Sequence, residues 1–359
     1  MTYRFDPRLA FASTIPSSYY IEGAALQSEN RNVFGRTWQL VGHSARISEP
    51  GQYFTTVVAG EPVVVTRAQD GNVRAMSNVC RHRAGPVAKG EGKRSSIQCR
   101  YHGWTYSLEG QLLSTPEFEG VECFDRTEVV LPPFRIEEWN GLMFVNLDRD
   151  APPLLDFLGD LTRDMPANES SGFRLAARKE WELDCNWKVY VDNYLEGYHI
   201  PIVHPGLFGE LDYPNYRTET KANYSIQFAP TKRPDRIRTT GQGDQVRFFW
   251  VYPNLMINVY PDNYSTNLVL PLGPHRTLTV FEWYFRHPES TKVKTEIAQT
   301  IAFSDEIQIE DVEICEAVQR GLQSSTYQSG RYSPQRENGV HHFHGLYSRA
   351  MGIEVGDHS

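Results

Sequence analysis

The spacing of apolar and polar residues changes along this chain. Between residues 18 and 35, Ala24, Leu26, Val33 and Phe34 lie among Glu22, Glu29, Asn30 and Arg31 at mixed helical spacing, which predicts a helical opening segment. From Trp38 onward, short β-rich runs take over. Gly51–Val58, Glu61–Thr66 and Ile136–Asn146 are separated by Gly, Pro, Asp and Asn, the pattern of a small all-β domain, and the Pro-containing stretch Asp148–Pro153 closes it. Beyond it, helical segments at about 187–199 and 292–322 flank strand-like runs at Phe248–Tyr260, Thr266–Leu270 and Thr277–Phe285, an α+β layout. The expected division is a helical segment over 1–37 that packs with the last domain, a β domain over 38–150 and a larger domain over 151–359. No internal repeat or low-complexity segment interrupts this order.

Composition narrows the picture. With 359 residues, 40% of them hydrophobic, the chain is long enough to bury a core in each of two domains. A formal net charge of -8 argues against nucleic acid as a partner. The short basic groups Lys93–Arg94 and Lys232, Arg233, Arg236 and Arg238 read as solvated surface. No apolar run of about 18 residues is present, and Met1–Leu9 mixes acidic and basic residues, so no membrane association and a cytoplasmic location are expected. Five cysteines, an odd number in a long chain, are a poor disulfide framework and leave metal binding open.

Two of those cysteines stand beside histidines. Cys80-Arg-His82 and Cys99-Arg-Tyr-His102 are separated by sixteen residues and sit among turn formers, Gly85, Pro86 and Gly103. Two Cys and two His suit a [2Fe-2S] cluster with one iron bound by sulfur and the other by imidazole. Structural zinc accepts the same donors, but zinc sites usually pair Cys with Cys and His with His along the chain, whereas each pair here mixes them. Trp104 and Tyr106 follow as candidate shields. Cys123, Cys185 and Cys315 lack such partners and are expected to be buried, inert thiols.

A second constellation lies at Glu196, His199 and His204. Glu196 and His199, three apart, would share a helical face, whereas a continuous helix would turn His204 about 140° away from His199. Pro201 forbids that continuity, so the helix is expected to end near His199 and let His204 fold back. In the helix from about 304 to 322, Asp311 projects within about 40° of the apolar stripe Ile307, Cys315, Val318 and Leu322, while Glu306, Glu310, Glu313 and Glu316 point elsewhere. A carboxylate within a buried stripe needs an ion partner or a metal. Two imidazoles and one carboxylate would give the facial arrangement of Fe(II) oxygenases; a buried salt bridge is the alternative.

Taken in order, Cys-x-His, Cys-x-x-His, acidic-x-x-His-x₄-His and a late Asp resemble the Rieske non-haem iron oxygenase α subunits over nearly the whole chain. The resemblance implies an all-β Rieske domain followed by a helix-grip-like catalytic domain with an antiparallel sheet and flanking helices. It implies that Cys80, His82, Cys99 and His102 hold the cluster, and that His199, His204 and Asp311 hold a catalytic mononuclear Fe(II). It further implies that Glu196 is the carboxylate bridging the two centres across a subunit boundary. Most members have Asp there; Glu occurs in the branch acting on quaternary amines. The segments Phe249–Asn258, Thr266–Pro274, Glu310–Leu322 and Gly330–Pro334, with the later His341–His344, are similar to that choline monooxygenase-like branch.

The resemblance also implies a mono- or dioxygenase that uses O₂, with electrons passed from NAD(P)H through a separate flavin and iron-sulfur reductase, and a homotrimeric ring. The expected substrate is a small quaternary ammonium compound, of the choline, betaine or carnitine kind, hydroxylated or N-demethylated. The alternatives are an aromatic ring or acid in the same machinery, and a non-catalytic electron-transfer or zinc-stabilised binding protein. Tyr194, Phe248, Trp250, Tyr252, Tyr260 and Tyr264 could form an aromatic cage or equally be core. The resemblance makes His341, His342 and His344 a C-terminal packing element rather than a third metal site.

Overall fold

Asn140 and Gly141 both take positive φ, 53° and 79°, and this two-residue turn folds the run read as one strand into a hairpin. A Cβ at Gly141 would meet the His43 ring at 2.5 Å, so glycine is required there twice over. The computed structural model describes residues 3–165, 172–232, 245–260 and 263–356. Arg233, Arg236 and Arg238 lie outside these. The chain forms two compact units, Asn30–Phe157 and Met1–Glu29 with Leu158–Ser359.

In the Asn30–Phe157 unit, the strands are β1 (Gln39–His43), β2 (Gln52–Val58), β3 (Glu61–Arg67), β4 (Val73–Ser77), β5 (Glu91–Lys93), β6 (Ser96–Gln98), β7 (Thr105–Ser107), β8 (Leu112–Ser114), β9 (Pro133–Trp139) and β10 (Leu142–Asn146). They build one antiparallel sheet in the order β1-β10-β9-β4-β3-β2-β5 and a small one, β6-β7-β8. Strand alternation decides what each face meets. Val63 and Val65 join Phe54, Met143 and Val145 in one apolar cluster. Val64 points the other way, into a cluster with Ile97, Tyr106, Leu112 and the two motif cysteines, Cys80 and Cys99.

The other unit holds β11 (Phe173–Leu183), β12 (Arg217–Thr220), β13 (Tyr224–Pro230), β14 (Gln245–Val251), β15 (Leu255–Val259), β16 (Asn263–Gly273) and β17 (Arg276–Arg286), an antiparallel sheet in the order β11-β17-β16-β15-β14-β13-β12. The run expected over Phe248–Tyr260 is therefore two strands; Tyr252, Pro253 and Asn254 turn it back so that Val251 faces Leu255. The long helix Thr291–Leu322 packs on β11 and β17 and the helix Asn338–Ala350 on β12. The opening segment is broken: Ser18–Ile21 and Gly23–Asn32 are separate helices, because Glu22 adopts an extended conformation ahead of Gly23.

One buried ion pair ties three distant segments of this unit together. Lys188, wholly buried in the helix Trp187–Tyr194, donates from Nζ to Glu29 Oε1 at 2.5 Å. Glu29 also accepts from Trp187 Nε1 at 2.7 Å and Tyr347 Oη at 2.7 Å. The rings of Tyr20, Trp187 and Tyr347 surround the ammonium at 5.1–5.4 Å. Burial pulls the Lys188 ammonium below its ordinary pKa against the opposing pull of Glu29. Removing one partner strands the other charge, so Glu29→Gln is expected to destabilise this unit by about 3–5 kcal/mol in denaturant unfolding, with Glu29→Leu/Lys188→Met recovering most of it. A single-variant loss under about 1 kcal/mol would contradict the pair's role.

Candidate metal centres

The Cys and His pairs sit on two tight turns. Gly103 takes φ 75° and closes the second turn, its N–H donating to the Cys99 carbonyl at 2.9 Å. Gly85 presses against the Cys99 sulfur, which a Cβ there would approach to 2.9 Å. The rings of His82 and His102 meet edge to face with centroids 4.6 Å apart. Cys80 and Cys99 are buried free thiols, whereas His102 is exposed beside Tyr101, itself 58% exposed.

These residues fit an iron-sulfur cluster. His82 Nδ1 is buried with no hydrogen-bond partner among the described residues, an orphan that a metal would satisfy. Burial pushes the Cys99 thiol up, while the N–H groups of Tyr101 and His102 pull the other way by bonding its sulfur. Tyr106 Oη accepts from Arg81 N–H at 2.9 Å and lies 3.3 Å from Cys80 Sγ. Trp104 stacks on His82 at 4.8 Å, backed by Phe118. Of the remaining cysteines, Cys185 and Cys315 are buried, but Cys123 is exposed, at a residue of left-handed conformation (φ 55°).

The second constellation is assembled differently from the expectation. The helix Trp187–Tyr194 ends five residues before His199, so Glu196 and His199 do not share a continuous helical face. The break has a local cause: Glu196 Oε2 accepts the backbone N–H groups of Tyr198 and His199, replacing helical partners, and Gly197 packs against the Tyr216 ring where a Cβ would come within 2.7 Å. Pro201 then starts a new short helix, Ile200–Val203, rather than merely stopping the old one, and His204 caps the next, Pro205–Glu210.

His199, His204 and Asp311 converge. Ligand-capable atoms of all three lie within 4.8 Å of one another. Asp311 Oδ1 is 3.0 Å from His204 Nε2 and 4.0 Å from His199 Nε2, and the two rings are 5.1 Å apart between centroids. Each ring turns its Nδ1 to a second carboxylate, Glu196 Oε1 at 2.5 Å for His199 and Glu310 Oε2 at 2.6 Å for His204. Glu310 therefore does not point elsewhere as the helical wheel implied. Val318, placed in the apolar stripe, is 43% exposed, so the buried side of this helix is polar at Gln308, Asp311 and Gln319. An ionised carboxylate only accepts, so each Nδ1 must donate, and a neutral ring then directs its Nε2 lone pair at Asp311. A proton or a metal ion must lie between that lone pair and the carboxylate, and two imidazoles with one carboxylate suit Fe(II). Burial lowers the His204 pKa, but hydrogen bonds and charge from Asp311 and Glu310 outweigh it and leave it raised.

A cavity of about 340 Å³ opens onto this triad, walled by rings of Tyr194, Tyr216, Phe248, Tyr260, Phe281 and Trp283. Three of the expected cage residues line it, Tyr194, Phe248 and Tyr260. Trp250 and Tyr252 instead pack against Phe343, and Tyr264 stacks on Tyr284 at 4.5 Å. The three histidines near the C-terminus do not converge. His344 lies between Tyr332 and Asp192, His341 meets the Asp6 carbonyl, and burial lowers His342 to about 4.

Comparison with known proteins decides the family. Residues 37–125 match the Rieske [2Fe-2S] domain, and residues 172–353 match the ring hydroxylating alpha subunit (catalytic domain). The chain belongs to the Rieske-type ring-hydroxylating oxygenase α subunits. This oxygenase is 37% identical to the chloroplastic choline monooxygenase of Arabidopsis thaliana, over 95% of this chain and 84% of that protein. It is 33% identical to the carnitine monooxygenase oxygenase subunit of Escherichia coli K12, over 95% and 94%. Its fold matches the crystal structure of the quaternary ammonium Rieske monooxygenase CntA with L-carnitine at a TM-score of 0.86, 29% identity, and 98% and 99% coverage. As a Rieske oxygenase it carries a [2Fe-2S] cluster and a mononuclear iron that uses O₂. Among its described residues no helix is long and apolar enough to cross a membrane.

Asp311→Ala is expected to lower the iron content from about three to about two per chain while leaving the cluster absorption unchanged. Loss of the cluster spectrum together with the iron would contradict the separation of the two centres.

Proposed function

We propose that this protein is the oxygenase component of a quaternary ammonium monooxygenase. In this reading Cys80, His82, Cys99 and His102 hold the Rieske cluster, and His199, His204 and Asp311 hold the mononuclear Fe(II). The observation that carries the substrate assignment is the ring-lined cavity beside the triad. A trimethylammonium group has no proton to donate and is bound best by π faces, each worth about 0.5–2 kcal/mol when desolvated. Several rings are fixed in place: Tyr194 Oη donates to Asn258 Oδ1 at 2.7 Å, and Tyr216 Oη to Gln227 Oε1 at 2.6 Å. The choline and carnitine monooxygenases that the chain resembles act, by their names, on such cations.

When bound, the ferrous centre supplies the open coordination positions at which O₂ is activated. The protein's part is positional. The cavity rings hold the cationic head so that a methyl or adjacent carbon faces His199, His204 and Asp311. Glu196 fixes the His199 ring through Nδ1, and it is the carboxylate we assign to the electron path between adjacent copies in a ring of three. Tyr198, 57% exposed, and Ile202, 84% exposed, give the surface beside His199 an apolar character suited to such a contact. One CntA structure is described as giving insight into inter-subunit electron transfer. A separate reductase, drawing on NAD(P)H, supplies the electrons, and we place the enzyme in the cytoplasm.

The test is a panel of choline, glycine betaine, carnitine, γ-butyrobetaine and aromatic acids, assayed with a reductase for O₂ uptake and product. Coupled turnover of at least one quaternary ammonium compound is expected, with uncoupled or no uptake for aromatic acids. Coupled turnover confined to an aromatic acid would transfer the assignment to ring hydroxylation.

A further inference from the structure

We infer that Glu310 is a positioning residue that locks the orientation and tautomer of His204. His204 is almost wholly buried, with 2% of its side chain exposed, and its ring is gripped on both edges by neighbouring residues of one helix: Nε2 faces Asp311 Oδ1 at 3.0 Å and Nδ1 faces Glu310 Oε2 at 2.6 Å. Glu310 and Asp311 project in directions about 100° apart on the helix, which lets adjacent carboxylates reach opposite edges of one imidazole. With Glu310 ionised, Nδ1 must donate and Nε2 is left as the donor atom toward the centre. Glu196 does the same for His199 from within its own loop. Glu310 acts from 106 residues away and so also fixes the loop carrying His204 against the long helix.

The inference rests on the proposal that His204 is a metal ligand. Loss of the hydrogen-bond acceptor behind a metal-bound imidazole typically changes metal affinity about 10–100-fold. Two conservative variants separate orientation from charge. Glu310→Gln keeps an acceptor at the same reach and loses the charge; Glu310→Asp keeps the charge and withdraws it by one methylene. The measurement is an anaerobic Fe(II) titration of cluster-containing protein from which the mononuclear iron has been stripped, with cluster absorbance and thermal midpoint recorded for each variant. The positioning role predicts that Glu310→Asp weakens Fe(II) binding by about 10–100-fold and that Glu310→Gln stays within about threefold of wild type, with unchanged clusters. Wild-type affinity in both variants, or weak binding in Gln with wild-type binding in Asp, overturns it. His204→Ala serves as the control: if it binds Fe(II) like wild type, the ligand proposal itself fails, whereas its failure to bind beside an unaffected Glu310→Asp removes only the role of Glu310.

Discussion

Two imidazole lone pairs and a carboxylate are aimed at one small, mostly buried volume, and this electrostatic conflict governs the catalytic unit. His199 and His204 each spend their Nδ1 hydrogen on a glutamate, so both Nε2 atoms face Asp311 with nothing of their own to donate. Left unfilled, the arrangement stabilises an extra proton on a ring; filled by a divalent cation, all five side chains are satisfied together. Of the polar residues on the buried side of the long helix, Gln308 is satisfied by Tyr190 and Thr279 and Gln319 by Asn186 and His275, which leaves Asp311 as the one that faces this conflict.

The rest of the unit holds these groups still. Lys188 and Glu29 pin the helix that precedes Glu196 to the N-terminal segment and, through Tyr347, to the C-terminal helix. Gly339 admits the Leu195 carbonyl so closely that a Cβ would clash with it, which seats the C-terminal helix directly on the start of the loop that carries Glu196 and His199. Elements far apart in sequence thus converge behind a few residues of irregular backbone, and the adjoining sheet supplies Phe248, Phe281 and Trp283 to the ring-lined cavity.

Much of this was legible in the sequence because it is local. The mixed Cys-x-His and Cys-x-x-His pairs, the apolar alternation of the β domain, the long helix Thr291–Leu322 and Asp311 as its buried carboxylate each follow from spacing over a few residues. What was not legible depends on distant partners. The early end of the helix at Tyr194 comes from Glu196 capping its own loop and from Gly197 meeting Tyr216. Glu310 escapes a helical wheel, which gives only the direction of Cβ, because a glutamate is long enough to turn back toward His204. Strand alternation does not separate cage residues from core, because Phe248 and Trp250 share a face of β14; only the docking of Phe343 from the distant C-terminal helix puts Trp250 in the core and leaves Phe248 over the cavity.

The proposed oxygenase chemistry requires that His199, His204 and Asp311 hold a ferrous ion with a vacant coordination position. Nitric oxide added to the iron-loaded protein probes this, because it ligates a mononuclear ferrous ion at an open position, and that adduct gives a high-spin EPR signal distinct from those of the cluster and its nitrosyl products. That signal is expected at about one per chain, perturbed by a bound quaternary ammonium compound. Iron-replete protein that gives only the cluster signal would contradict it.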